Sequence, residues 1–169
     1  DLKTFVSNNG GQSNAFTSNE QTNFIFSIAD TKLLEALDRL SQMMISPQLL
    51  KADMQSEREA VDSEFRLRLH DSFFKREHIH KLYIDPSHPG SWFSTGNLQT
   101  LKENITDDEL HVELLNFFKK YVANKMTLCI QSSRPLDELQ NLIVEYFSPI
   151  KGDINEVQER KVINLDEIV

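Results

Sequence analysis

The stretch Leu50–Leu69, LKADMQSEREAVDSEFRLRL, constrains this chain more than any other, because it sets carboxylates where a helix should be apolar. At 100° per residue, one face gathers Leu50, Met54, Glu57, Ala60, Val61, Glu64, Phe65 and Arg68. The opposite face gathers Gln55, Glu59, Asp62 and Arg66, as a solvated face would. Glu57 and Glu64 stand two helical turns apart, nearly in line on the first face. Burying an ionised carboxylate is costly unless a cation, a metal or several donors meet it. Two readings are open. In one, Glu64 pairs with Arg68 a turn later and Glu57 points to the edge of the face. In the other, something outside the helix sits opposite both carboxylates.

The neighbouring residues bear on that choice. SEREAVDSEF, with NNGGQSNAFTS upstream of it, resembles the pitrilysin (insulinase) family of zinc endopeptidases, and the likeness runs from Asn8 to about Pro149. In that family an acidic residue and, seven positions on, a Glu in an AVDSE-like context form the downstream half of an inverted zinc motif. The resemblance therefore implies that Glu64 is a ligand of Zn²⁺ and that Glu57 is a carboxylate behind the ligands. It also implies an HxxEH helix roughly a dozen residues before Asp1, carrying two histidine ligands and the general base.

Asn14-Ala15-Phe16-Thr17 has two readings as well. By itself it is an ordinary strand in which Ala15 is small for want of space. The resemblance to SNAFTS makes Asn14, Ala15, Phe16 and Thr17 a substrate-binding edge strand beside the metal, on which an extended peptide adds as a further strand. FSTGN at Phe93–Asn97 resembles the loop that follows the zinc-ligand helix in the family.

The rest of the chain reads as an α+β domain. Leu2–Val6 is a short helical piece stopped by Asn8-Asn9-Gly10-Gly11, since Gly reaches positive φ freely. Gln12–Ser18 and Gln21–Ala29 read as strands joined by a hairpin, with Phe24, Phe26 and Ile28 alternating. Asp30 or Thr31 caps a helix carrying Leu33, Leu34, Leu37, Leu40, Met43 and Met44 inward, and Pro47 ends that segment. Further helices are predicted over Ser72–Tyr83, from Asp107 to Val122, and over Leu136–Phe147 behind Pro135. Leu98–Glu103 reads as one or two helical turns, and Met126–Gln131 (MTLCIQ) as a strand returning to the sheet. This pattern gives a two-layer sandwich, a mixed or antiparallel sheet with helices packed on it. The resemblance implies the same fold, incomplete at its N-terminus: residues 1–150 as a partial catalytic domain, and residues 151–169, which lack periodicity, as a linker towards a following domain.

Composition narrows the function classes. At 169 residues the chain is long enough for one cored domain, and 39% hydrophobic against 26% charged residues is a globular balance. No run approaches the roughly 18 apolar residues of a membrane span, so no membrane partner is expected. A net charge of −8 argues against a nucleic-acid surface. The single Cys129 cannot form an internal disulfide, which favours a reducing compartment, cytoplasmic or within an organelle. Between Leu128 and Ile130 it reads as a packed small hydrophobe rather than a nucleophile. His78 and His80 point to different faces of a helix, and no HxxxH or HxxEH pair occurs in the sequence, so the five histidines read as surface or loop residues.

The function these readings give is part of a zinc metalloendopeptidase, inactive as residues 1–169 alone. Peptide substrates, the remaining domains of the parent and a second copy of it, as a homodimer, are the partners to consider. The alternative is a non-catalytic domain of the same fold that grips peptides or a partner subunit.

Overall fold

Asp1 opens the chain as a helix cap: its carboxylate accepts the Thr4 N–H at 2.9 Å and starts α1, Leu2–Asn8. The computed structural model describes residues 1–18 and 20–152. The linker expected over residues 151–169 thus falls almost wholly outside them. Gly10, at φ 71°, turns the chain out of α1. Gly11 then passes so close to its neighbours that a Cβ there would lie 2.3 Å from the Ser27 carbonyl oxygen and 2.8 Å from Val6 Cγ1. Only glycine lets the hairpin start at this point.

The hairpin is β1 (Gln12–Thr17) paired antiparallel with β2 (Thr22–Ser27), in a register running from Gln12 opposite Ser27 to Thr17 opposite Thr22. The Ser18 N–H closes it on the Gln21 carbonyl at 2.8 Å. A single 3₁₀ turn, Asp30–Lys32, leads into α2, Leu33–Ile45. Leu33, Ala36, Leu37, Leu40 and Ser41 are buried at its 3.6-residue spacing, whereas Leu34, read as inward, is exposed and Met43 and Met44 are half-buried. Leu33 and Leu37 meet Leu139 of α6 (Leu136–Phe147), and Phe26, Ile130, Tyr146 and Phe147 close around them. Helices on one face of an antiparallel hairpin are the two layers of an α+β fold.

The expected strand Met126–Gln131 is not one here: among the described residues the sheet has two strands. A strand is defined by the ladder it joins, and no described residues pair with this segment to complete one. Ile130 still packs into the core, whereas Cys129, read as packed, is exposed. The described residues also include the helices α3 (Met54–Arg68), α4 (Ser72–Lys81) and α5 (Asp107–Phe118). α4 and α5 stop short of Tyr83 and Val122 because tight three-residue bonds close their last turns, Tyr83 N–H to His80 and Tyr121 N–H to Phe118. Thr106, not Asp107, caps α5, in a reciprocal box with Glu109. No helix among the described residues is long and apolar enough to cross a membrane.

Candidate functional site

α3 lies on the protein with its charged side inward. Met54, Arg58 and Asp62 are its buried residues, whereas Glu57 and Glu64 are exposed. The inward face is therefore turned by roughly 80° from the one the apolar pattern marks out. The cause is what Arg58 and Asp62 find there. Arg58, 4% exposed, donates through Nη1 to Asp107 Oδ1 at 2.8 Å and to the Leu101 carbonyl at 3.2 Å, and through Nε to the Met54 carbonyl at 3.2 Å. Asp62 Oδ1 accepts the Leu98 N–H at 3.0 Å, and its Oδ2 accepts Arg66 Nε at 2.6 Å. Buried charges satisfied in this way are tolerated where bare ones are not.

The bond from Leu98 is the main reason the Asp62 carboxyl is held below its ordinary pKa. Burial opposes that shift, and Arg66 adds to it. Asp107 is likewise lowered, first by its hydrogen bond from Arg58.

The segment that α3 grips is the one containing FSTGN. Lys81 Nζ bonds the Trp92 carbonyl and Ser94 Oγ, both at 2.8 Å. Gly96 sits under the helix so tightly that a Cβ would come within 2.8 Å of Val61 Cγ1 and 2.5 Å of Leu101 Cδ1. Asn97 caps the next turn by accepting the Thr100 N–H at 2.9 Å, and Gln99–Glu103 winds as a π-helix. Phe65 packs edge-on against Phe74 of α4 and Phe93 of this loop, with ring centroids 6.1 and 5.7 Å apart.

Glu57 and Glu64 are left facing outward on the other flank of α3, about 10 Å apart along its axis. Neither side chain enters an ion pair with a described residue, and the Glu64–Arg68 pair considered from the sequence does not form. The pair that does form one turn apart is Asp62–Arg66. No three His, Cys, Asp or Glu side chains come together as a metal-holding group among the described residues. A catalytic zinc takes three protein ligands. These residues do not build such a site by themselves, but Glu64, accessible and without a counter-charge, fits as one carboxylate arm of it. His78 lies tilted against Phe74 at 4.4 Å between centroids, His88 Nδ1 accepts the Gly90 N–H, and His111 Nε2 lies 2.9 Å from the Leu49 carbonyl.

Asn14, Ala15, Phe16 and Thr17 are all exposed on β1, which has β2 on one side and, among the described residues, no strand on the other. The Ala15 N–H donates to Asn14 Oδ1 at 2.9 Å. A donor taken by its neighbour's side chain is one the ladder to β2 does not use, which places it on the open edge. Arg58 and Asp62 are the site-supporting residues that pattern reading missed. The signal available was the i,i+4 row Arg58–Asp62–Arg66, three alternating charges on one line of the helix.

Comparison with known proteins bears on the chain as a whole. Insulin-degrading enzyme of Mus musculus is 37% identical over 151 residues, covering 88% of this chain and 15% of that protein. Nardilysin of Rattus norvegicus is 36% identical over 152 residues, covering 88% and 13%. The crystal structure of pitrilysin superposes with a TM-score of 0.86 at 31% identity, covering 95% of this chain and 17% of that one. The chain thus spans about a sixth of the length of these relatives. Residues 1–87 of the 169 match the family described as Insulinase (Peptidase family M16), and the chain belongs to that family.

Proposed function

We propose that residues 1–150 form part of the catalytic domain of a zinc endopeptidase and supply Glu64 as its carboxylate ligand. The observation that carries this reading is the pair Glu57 and Glu64, exposed, without counter-charges, and two turns apart on a helix whose opposite flank is fixed. Arg68, one turn on from Glu64, forms no ion pair with it, and Arg58 and Arg66 are engaged with Asp107 and Asp62. Two histidines outside residues 1–169 would complete the ligand set. Once bound, the metal would polarise the scissile carbonyl and activate a water. This chain's own share is to hold one ligand in place, to set Glu57 behind the ligands, and to pair an extended peptide along Asn14–Thr17. Peptides are the substrates, the remaining domains of the parent are the partners, and a cytoplasmic or other reducing compartment suits the lone Cys129.

Metal analysis of the intact parent tests this. It should carry zinc stoichiometrically, and Glu57→Gln should weaken zinc binding about 10–100-fold, the usual size for a group that orients a ligand. A parent that holds no zinc would instead be a peptide-gripping domain without catalysis.

A further inference from the structure

Asp62 stands out because a buried carboxylate inside the AVDSE run spends itself on a backbone amide 36 residues away. We propose that Asp62 is a positioning residue: its bond to the Leu98 N–H fixes the roll of α3, and with it the direction in which Glu57 and Glu64 project. This rests on the reading of those two carboxylates as the metal side of the helix.

The geometry is that of a two-point clamp. Arg58 and Asp62 are four residues apart on one line of α3, and both hold the segment 98–107, Asp62 at Leu98 and Arg58 at Leu101 and Asp107. Glu57 and Glu64 project about 130° around the helix from that line. A cylinder gripped at two points on one side cannot turn, so the other side keeps its aim. Apolar contacts add to the clamp through Met54, the apolar member of the buried residues of α3, and through Phe65 against Phe74 and Phe93. Gly96 and the Asn97 cap hold Leu98 in place, so the loop and the helix are built as one unit.

The donor can also be removed from the other side, at Leu98. Leu98 follows the capping residue Asn97 and has φ −62°, the conformation and position a proline prefers. Leu98→Pro therefore suits the local backbone and breaks the same bond, by putting a ring methylene where the N–H met Asp62 Oδ1. Asp62→Asn keeps an oxygen that can accept it. The experiment measures zinc affinity by chelator competition in the full-length parent, well below its melting temperature, for Asp62→Ala, Asp62→Asn, Leu98→Pro and the Asp62→Ala/Leu98→Pro double variant, beside Glu64→Gln.

We expect Asp62→Ala and Leu98→Pro each to weaken zinc binding about 10–100-fold, the double variant to be no worse than either, and Asp62→Asn to recover most of the loss. If Asp62→Ala does not fold, Leu98→Pro and Asp62→Asn carry the same comparison. Wild-type affinity in Leu98→Pro, or no recovery in Asp62→Asn, overturns the clamp while leaving Glu64 a ligand. Full zinc occupancy in Glu64→Gln overturns the underlying site itself, whatever the Asp62 variants do.

Discussion

Replacing Glu64 by Gln in the intact parent is expected to remove bound zinc and peptide cleavage together while the fold stands. An amide has the shape of the carboxylate but neither its charge nor its affinity for a divalent cation. With one of three protein ligands gone, the metal is held too weakly to stay through purification. Stability should hardly change, because the Glu64 side chain is exposed and enters none of the ion pairs of α3. Substitutions at such positions are usually near neutral. Elemental analysis and a melting curve on the same sample separate the two effects. Full zinc content in a folded Glu64→Gln protein would show that the ligand lies elsewhere.

Ala15→Pro should act the other way, sparing the metal and harming turnover. Ala15 keeps its N–H on the open side of β1, turned to Asn14 Oδ1 until a better acceptor arrives. A peptide lying along this edge would offer its own carbonyl in exchange. Proline deletes that donor and stiffens φ, and at an open edge it breaks no bond to β2. The loss of one main-chain hydrogen bond, about 0.5–1.5 kcal/mol, together with a displaced register should lower kcat/KM about tenfold or more. Cleavage at the wild-type rate by a folded, zinc-loaded Ala15→Pro parent would remove β1 as the docking edge.

How much of this was legible in the sequence depended on whether local pattern or distant partners decide. The hairpin, α2 and α6 follow from alternation and from 3.6-residue periodicity, and Leu33, Leu37 and Leu40 were readable as core for that reason. Glu57 and Glu64 stood out because of their spacing, and the family resemblance supplied a role that spacing alone does not give. The orientation of α3 was not legible. Its buried residues include Arg58 and Asp62, whose partners lie 49 and 36 residues downstream, and a helical wheel puts Asp62 on the outward face and Arg58 between the two faces. Met126–Gln131 failed for a related reason: six residues with strand composition form no strand until another chain segment runs beside them.

The charged inner side of α3 also bears on the order in which the molecule assembles. Collapse of apolar surface brings α2, α6 and the hairpin together through Leu33, Leu37, Leu139 and Phe26, but it gives α3 little to gain. α3 finds its seat only once the chain around Leu98–Asp107 is already shaped, since that is where its donors and acceptors are. Native-state hydrogen exchange should accordingly show α2 amides opening only with global unfolding and α3 amides opening earlier, and the reverse order would contradict this. The helix that bears Glu57 and Glu64 would then be the last part of this chain to dock and the first to loosen, so that metal held by Glu64 would report on the completeness of folding.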